Sequence, residues 1–305
     1  MSTSMPAETV VAQKSPVAWG RVALYYGVAL GGSTLAAFAA WAASRSLGDA
    51  GSVAALVIVA VFYMPMPLVA GLITERVAGR RPLLADEWRA LRTRFWRTYG
   101  RNVAASVAVM VAVLVTAFLV AWVAGALAIP GAGHLAVANG PLPSAVLVPV
   151  VIAEGILAGI TINGLFAFGE EYGWRGVLAQ ELQPLGAVRA NLVTGVLWGL
   201  WHAPVIILLG HNYGSEWGWG IPVMVAWVTP FSFLLWRVRE RTGSVLAPAM
   251  LHGAANGSLG VFSLVITGGN VLVALPVGLL LALTLTIVAA VAWRLPVLDP
   301  PGPRQ

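Results

Sequence analysis

Long apolar runs separated by short polar gaps dominate this chain. Runs of the required length lie near 22–43, 52–74, 103–129, 144–169, 190–210, 218–236, 245–267 and 271–293. A helix needs about 20 mostly apolar residues to cross a hydrocarbon core about 30 Å thick, so each run predicts one crossing. The runs do not alternate with period two, as strands of a transmembrane barrel would. Open sheets are excluded because their edges would leave backbone groups unpaired in lipid. The pattern predicts an all-α polytopic membrane helix bundle with about eight transmembrane helices.

One polar gap carries its own periodicity. Leu84, Trp88, Leu91 and Phe95 recur at helical spacing, with Arg89, Arg92 and Arg94 between them. This predicts an amphipathic helix near 83–99 lying on the inner membrane surface, its arginines toward anionic lipid. The domain plan that follows has a polar tail over 1–16 and N-terminal transmembrane helices with the interfacial helix over 17–140. A core that holds the candidate chemistry covers 141–267. A last transmembrane helix and a Pro-rich tail, expected to be disordered, cover 268–305.

Composition agrees with lipid as the solvent. The chain has 305 residues, 59% hydrophobic and 10% charged, and its mean hydropathy is +0.84; a soluble domain carries about 25% charged residues. The net charge of +6 is read through its placement rather than as a nucleic-acid signal. In an eight-helix threading Arg45 alone falls on one side, and every other Lys or Arg outside the spans falls on the other. That asymmetry predicts cytoplasmic termini; a multi-pass place in a bacterial plasma membrane is the accompanying expectation. Cysteine is absent, which excludes disulfides, thiolate metal sites and thiol nucleophiles. The polar N-terminus is followed by an apolar run too long for a signal-peptide core, so no cleavable signal is expected.

An ionisable group in or beside a span is costly, and so is a candidate for function. Three groups stand out in the second half. The first is Glu170-Glu171-Tyr172-Gly173-Trp174-Arg175, expected at the cytoplasmic end of the fourth helix. Arg175 is four residues after Glu171 and can pair with it along one face, while Glu170 points about 100° away. The second is Trp198-Gly199-Leu200-Trp201-His202, where an indole can wall an imidazole and Pro204 suggests a kink. The third is His252-Gly253-Ala254-Ala255-Asn256, with imidazole and carboxamide on one helix face among small residues that permit close packing. Taken singly, a helix-end salt bridge, a structural histidine and an interhelical hydrogen-bond pair explain them. Together they predict one water-accessible site opening inward. Glu154 and Asn163 read as packing or cavity residues, and His134 and His211 as poor candidates on opposite-side connectors.

The chemistry narrows by elimination. There is no HExxH run, no Asp inside a predicted span and no GxSxG elbow. What remains is a carboxylate and a histidine to polarise water, with His and Asn donors for an oxyanion, as hydrolysis through a tetrahedral intermediate requires.

The series Glu170-Glu171-xxx-Arg175, Trp198-xxx-His202 and His252-xxx-Asn256 resembles the motifs of the CPBP intramembrane proteases. These are the type II CAAX prenyl endopeptidases and their bacterial relatives, also called the Abi family. The resemblance covers about 168–256, under a third of the chain. It implies Glu170 as the base that activates water, His202 as its assistant, and His252 with Asn256 as the oxyanion site. Glu171 and Arg175 would shape the site and bind substrate. Trp198 stands where the family usually shows Phe and keeps an aromatic wall. The resemblance implies a peptide or protein substrate at the membrane, which could be prenylated, and no nucleic acid. It leaves two mechanisms open, a metal-free glutamate mechanism and a zinc site on Glu170, His202 and His252 with an open fourth position. The metal-free one is the expectation here. The competing readings are a non-catalytic scaffold or immunity protein and a proton-linked transporter.

Overall fold

The computed structural model describes residues 16–136 and 144–295. The N-terminal tail through Ser15 and the Pro-rich tail from Pro296 lie outside the described residues. Helix α1 spans Trp19–Ser46. Helix α2 (Gly51–Ile58) runs through a wide π turn at Val59–Tyr63 into α3 (Met66–Val77), the change of pitch falling where Pro65 and Pro67 withhold backbone donors.

Helix α4 (Leu83–Ala126) joins the predicted surface helix to the third crossing. Arg94, at φ −143° and ψ 46°, breaks the helical path between them. Leu84, Trp88 and Phe95 are exposed along the first part, as a lipid-facing stripe requires. After α4, the two-residue strand β1 (His134–Leu135) will meet a second one late in the chain.

The next apolar run forms a broken helix. Helix α5 (Ser144–Ile160) and α6 (Ile162–Glu171) meet at Thr161 with a bend of 53°. The chain then continues without stopping through a π turn at Tyr172–Leu178 into α7 (Ala179–Glu181). This corrects the placement of Glu170 at a helix end. The apolar run does stop at Gly169, but the charged residues after it are paired internally, so the helix proceeds with them buried.

Helices α8 (Ala187–Trp201) and α9 (Ala203–Leu209) are separated at His202, just before Pro204, where the sequence suggests a kink. Helix α10 (Trp217–Thr242), α11 (Leu246–Ser258) and the short α12 (Phe262–Val265) follow. Strand β2 (Ile266–Thr267) pairs antiparallel with β1, His134 opposite Thr267, and α13 (Leu279–Arg294) closes the described chain.

Among the described residues, five helical units are long and apolar enough to cross a membrane, or six with the bent pair counted as one span. The last two of the eight expected crossings are shorter than the sequence suggests. The run at 245–267 divides into α11, a 3-10 turn and α12. Helix α11 is buried along most of its length, so it faces protein rather than lipid and needs no long apolar surface. The run at 271–293 becomes helical only at Leu279, after Pro276 and Gly278. Its 16 residues rise about 24 Å.

Hydrogen bonds define the two ends of the bundle. At one end the buried Glu181 carboxylate receives Arg21 at 2.9 Å and also Arg80. Glu87 accepts from the Ser244 hydroxyl at 2.6 Å and the Val245 N–H at 3.0 Å, and Arg237 donates to the Ala292 carbonyl at 3.1 Å. These contacts gather the start of α1, the ends of α7, α10 and α13, and the starts of α4 and α11. The opposite end is tied by the β1–β2 ladder and by Tyr213, which donates to the Val277 carbonyl at 3.0 Å. Between the ends, Tyr25 and Trp201 each stand edge to face with Trp174, at 5.4 and 6.0 Å, and Tyr63 is tilted against Trp201 at 4.5 Å.

Candidate active site

Glu170 and Glu171 are adjacent, and the last turn of α6 sends them to different surroundings. Glu171 is fully buried and receives Arg175 at 3.1 Å, the i, i+4 pairing its spacing predicts. The same carboxylate oxygen contacts His252 Nδ1 at 2.9 Å. Glu170 instead accepts the indole N–H of Trp198 at 3.0 Å. Trp198 serves both acids, because the Arg175 guanidinium lies over its ring at 4.1 Å. One carboxylate is thus enclosed among cations and rings, and the other stands at a cavity wall.

The two histidines are each fixed through Nδ1. His202 holds the Trp198 carbonyl at 2.9 Å. A carbonyl only accepts, so Nδ1 carries the proton, and in the neutral ring Nε2 is an acceptor. The Trp201 ring stands edge-on to His202 at 4.9 Å and is itself anchored by Ser33, which takes its indole N–H at 2.8 Å. His252 spends Nδ1 on Glu171 and is wedged between Trp198 at 5.2 Å and Phe231 at 5.9 Å, both edge to face.

Backbone-to-backbone packing places His252 and Asn256. A Cβ on Gly159 of α5 would collide with the Ala254 backbone, and one on Gly253 would sit 2.6 Å from the Gly164 nitrogen. Small residues let helices approach this closely. The approach sets α11 against the α5–α6 bend, and Asn163 donates to the Gly253 carbonyl at 3.4 Å across the contact.

Glu170, His202, His252 and Asn256 all line one cavity of about 910 Å³, together with Trp198. Glu171 and Arg175 are not on its wall; they support the floor from behind, fully buried. The wall extends from this floor past Tyr63, Met224 and Leu281 to Trp41, Arg45, His211 and Val277. Those last residues belong to the end tied by the strand ladder. The lining begins at Glu170, Phe231 and His252 and continues toward Trp41, Arg45 and Val277. Glu170 lies eleven residues before Glu181, so about three turns of buried helix close the basic side.

Among the described residues, no group of three or more His, Asp or Glu is gathered as a metal ion would require. Glu170, His202 and His252 share the cavity without being gathered as such a group. Glu154 is exposed on the outer face of α5, away from the cavity. His134 contacts Thr267 at 3.1 Å in the strand ladder. His211, set aside by the sequence reading, does line the cavity. Phe231 and Tyr63 also escaped that reading, since an aromatic residue in an apolar run carries no mark of which face it takes.

Residues 144–258 match the family model described as Rce1-like: type II CAAX prenyl endopeptidase Rce1-like. No curated protein matches the chain.

Proposed function

Through residues 144–258 the chain belongs to the type II CAAX prenyl endopeptidase family, and on that premise we propose that it is an intramembrane endopeptidase working by glutamate-activated water. The observation that carries this reading is the convergence of Glu170, His202, His252 and Asn256 on one cavity.

The residues divide the work by what each has left to offer. Glu170 has one oxygen on the Trp198 N–H and the other for a water proton. His202, with Nδ1 tied to the Trp198 carbonyl, offers Nε2 as a second acceptor to orient that water. Hydroxide adds to the scissile carbonyl carbon while Glu170 takes the proton. The resulting oxyanion is received by the Asn256 carboxamide and by His252 Nε2–H, the imidazolium being held by Glu171 through Nδ1. Glu170 then returns its proton to the amide nitrogen as the carbon–nitrogen bond breaks, acting as base and acid in turn. Arg175 keeps Glu171 and Trp198 in place.

The test is reconstitution in proteoliposomes with a peptide library, comparing wild type with Glu170→Gln and His202→Ala, with and without a strong chelator. Cleavage by wild type, lost in both variants and indifferent to chelator, is the expected result. Chelator sensitivity reversed by zinc would overturn the metal-free mechanism. Partner binding without any cleavage would replace the protease with a scaffold, and ion flux lost in the variants would replace it with a transporter.

A further inference from the structure

Helix α4 is sharply bent near its start, and the bend closes on another helix. Glu87 and Asn102 stand fifteen residues apart on α4, about 22 Å along a straight helix. Both nevertheless reach one side chain: the Ser244 hydroxyl donates to Glu87 at 2.6 Å and accepts from the Asn102 carboxamide at 3.2 Å. The break at Arg94 makes this possible, and Thr98, beyond the break, donates back to the Ala90 carbonyl before it. The first part of α4, residues 83–93, is therefore an arm folded at an elbow, and Ser244 is the pin inside the elbow.

The pin belongs to a helix that carries the site. Ser244 also accepts the Leu246 N–H at 3.2 Å, and Glu87 takes the Val245 N–H at 3.0 Å, so the arm holds the first turn of α11. Ser106, on the crossing part of α4, donates to the Ala247 carbonyl at 2.7 Å. His252 lies seven residues beyond Val245, on the same unbroken helix, about two turns away. The start of the arm is fixed on the chain leaving Glu171. Tyr172 donates to Glu75 at 2.6 Å, and these two groups accept the Leu84 and Leu83 N–H at 3.3 and 2.9 Å. A tilt of the arm thus reaches both halves of the site.

The outer face of the arm is rich in cations and rings. Trp88 and Trp96 are 67% and 84% exposed, and Arg76, Arg81, Arg89, Arg92, Arg94 and Arg97 are exposed around them. Among the described residues, Arg89 alone of these six forms an ion pair, with the exposed Asp86 at 3.6 Å. So many like charges repel one another unless a surface of anions covers them. Indoles interleaved with arginines suit the headgroup level of a bilayer, where phosphates meet acyl chains. One soluble phosphate could not cover a face that extends from Arg76 to Arg97.

We propose that the arm is a lipid-sensing lever: anionic phospholipid headgroups bound along its arginine face hold the elbow shut on Ser244, and so set α11, with His252 and Asn256, in its working position. Anchoring alone would need the arginine face but not the pin. The inference rests on the protease reading for its effect on turnover, and on α4 and Ser244 alone for the lever.

Two measurements test it. Because the chain has no cysteine, Leu84→Cys and Val111→Cys, exposed on the two parts of α4, take spin labels without other changes. Their separation is read by pulsed electron paramagnetic resonance in nanodiscs of phosphatidylcholine with increasing phosphatidylglycerol. One narrow distance should grow in with phosphatidylglycerol. Arg89→Gln, Arg92→Gln and Arg97→Gln combined should raise the fraction required at least about threefold, since each arginine adds to the attraction. Lysine at the same three positions should keep the wild-type response. Glu87→Gln and Ser244→Ala should each leave the distance broad in every lipid. A distance indifferent to phosphatidylglycerol, or a glutamine variant that responds as wild type does, overturns the lever. Closure by inorganic phosphate or by an acidic peptide in pure phosphatidylcholine overturns the bilayer as its occupant.

Turnover of a cleaved peptide in the same nanodiscs should rise severalfold with phosphatidylglycerol in wild type. In folded Glu87→Gln and Ser244→Ala protein it should stay low and flat. Turnover that ignores lipid composition while the elbow responds overturns the coupling to His252. Failure of wild type to cleave any peptide, with the elbow response intact, would sink the protease reading and leave the lever standing.

Discussion

The two ends of the bundle handle buried charge in opposite ways. At the basic end every described acid that is buried closes on partners of its own chain: Glu181 on Arg21 and Arg80, Glu87 on Ser244 and Val245, Glu75 on the Tyr172 hydroxyl at 2.6 Å and the Leu83 N–H at 2.9 Å. On the cavity side Glu170 has a single N–H from Trp198, and His202 and His252 each have one nitrogen engaged through Nδ1. Polar groups that close on one another tie helices together. Polar groups left with a lone pair or a proton facing a cavity are equipped to move one. Burial alone does not separate the two classes, since Glu181 and Glu170 are both 3% exposed. What separates them is unspent hydrogen-bonding capacity beside open space.

The sharpest way to break this contrast is to swap a carboxylate for its amide on each side. Glu170→Gln keeps the shape and loses the base, and activity on a cleaved peptide should fall about 10²–10⁴-fold with the melting temperature in detergent nearly unchanged. Glu181→Gln should do the reverse. It leaves two arginines without their buried partner, and because those arginines are partly exposed the loss is about 1–3 kcal/mol of stability, read as a lower unfolding midpoint, with turnover of the folded fraction retained. If Glu181→Gln abolishes turnover in folded protein, the division of the molecule into a tied end and a working cavity is wrong.

A second variant probes the contact that sets the site's geometry. Gly253→Val places a branched side chain against the Asn163 and Gly164 backbone, where even a Cβ has no room. Overpacking of this kind costs about 1–3 kcal/mol. Here it should also push His252 off the cavity floor, so the unfolding midpoint and the rate fall together. A full rate at reduced stability would show that α11 can shift without moving the imidazole.

These contrasts also show what a sequence can and cannot display. The Glu171–Arg175 pair, the kink beside Pro204 and the small residues around His252 are local, set by helical spacing or by residue size, and they were legible. The convergence of three motifs on one site was legible through the resemblance. The partner of Glu170 was not: Trp198 lies 28 residues away, and an indole in an apolar run looks like packing. Nor were the structural roles of Glu87 and Glu181, whose partners come from the far parts of the chain. The length of the fourth helix was misjudged because hydropathy registers Glu170–Arg175 as an end. A helix surrounded by protein can carry charges onward where one facing lipid cannot.

The smallest expected effect falls on the Trp198 indole. Trp198→Phe retains an aromatic ring for Arg175 and the two histidines to pack on and removes the N–H that Glu170 accepts. The carboxylate then loses its only described hydrogen bond and gains freedom to turn from the cavity. A hydrogen bond to a charged group contributes about 1.5–3 kcal/mol, and water reaching the vacated side of Glu170 from the cavity offsets part of this. The rate should therefore fall about tenfold, with KM for a cleaved peptide little changed, because a group that orients the base acts on the chemical step more than on binding. The protein should remain within about 1 kcal/mol of wild-type stability, as a surviving ring implies. An unchanged rate would mean that Glu170 is held by the cavity itself, and that the indole N–H belongs with the closed contacts of the basic end.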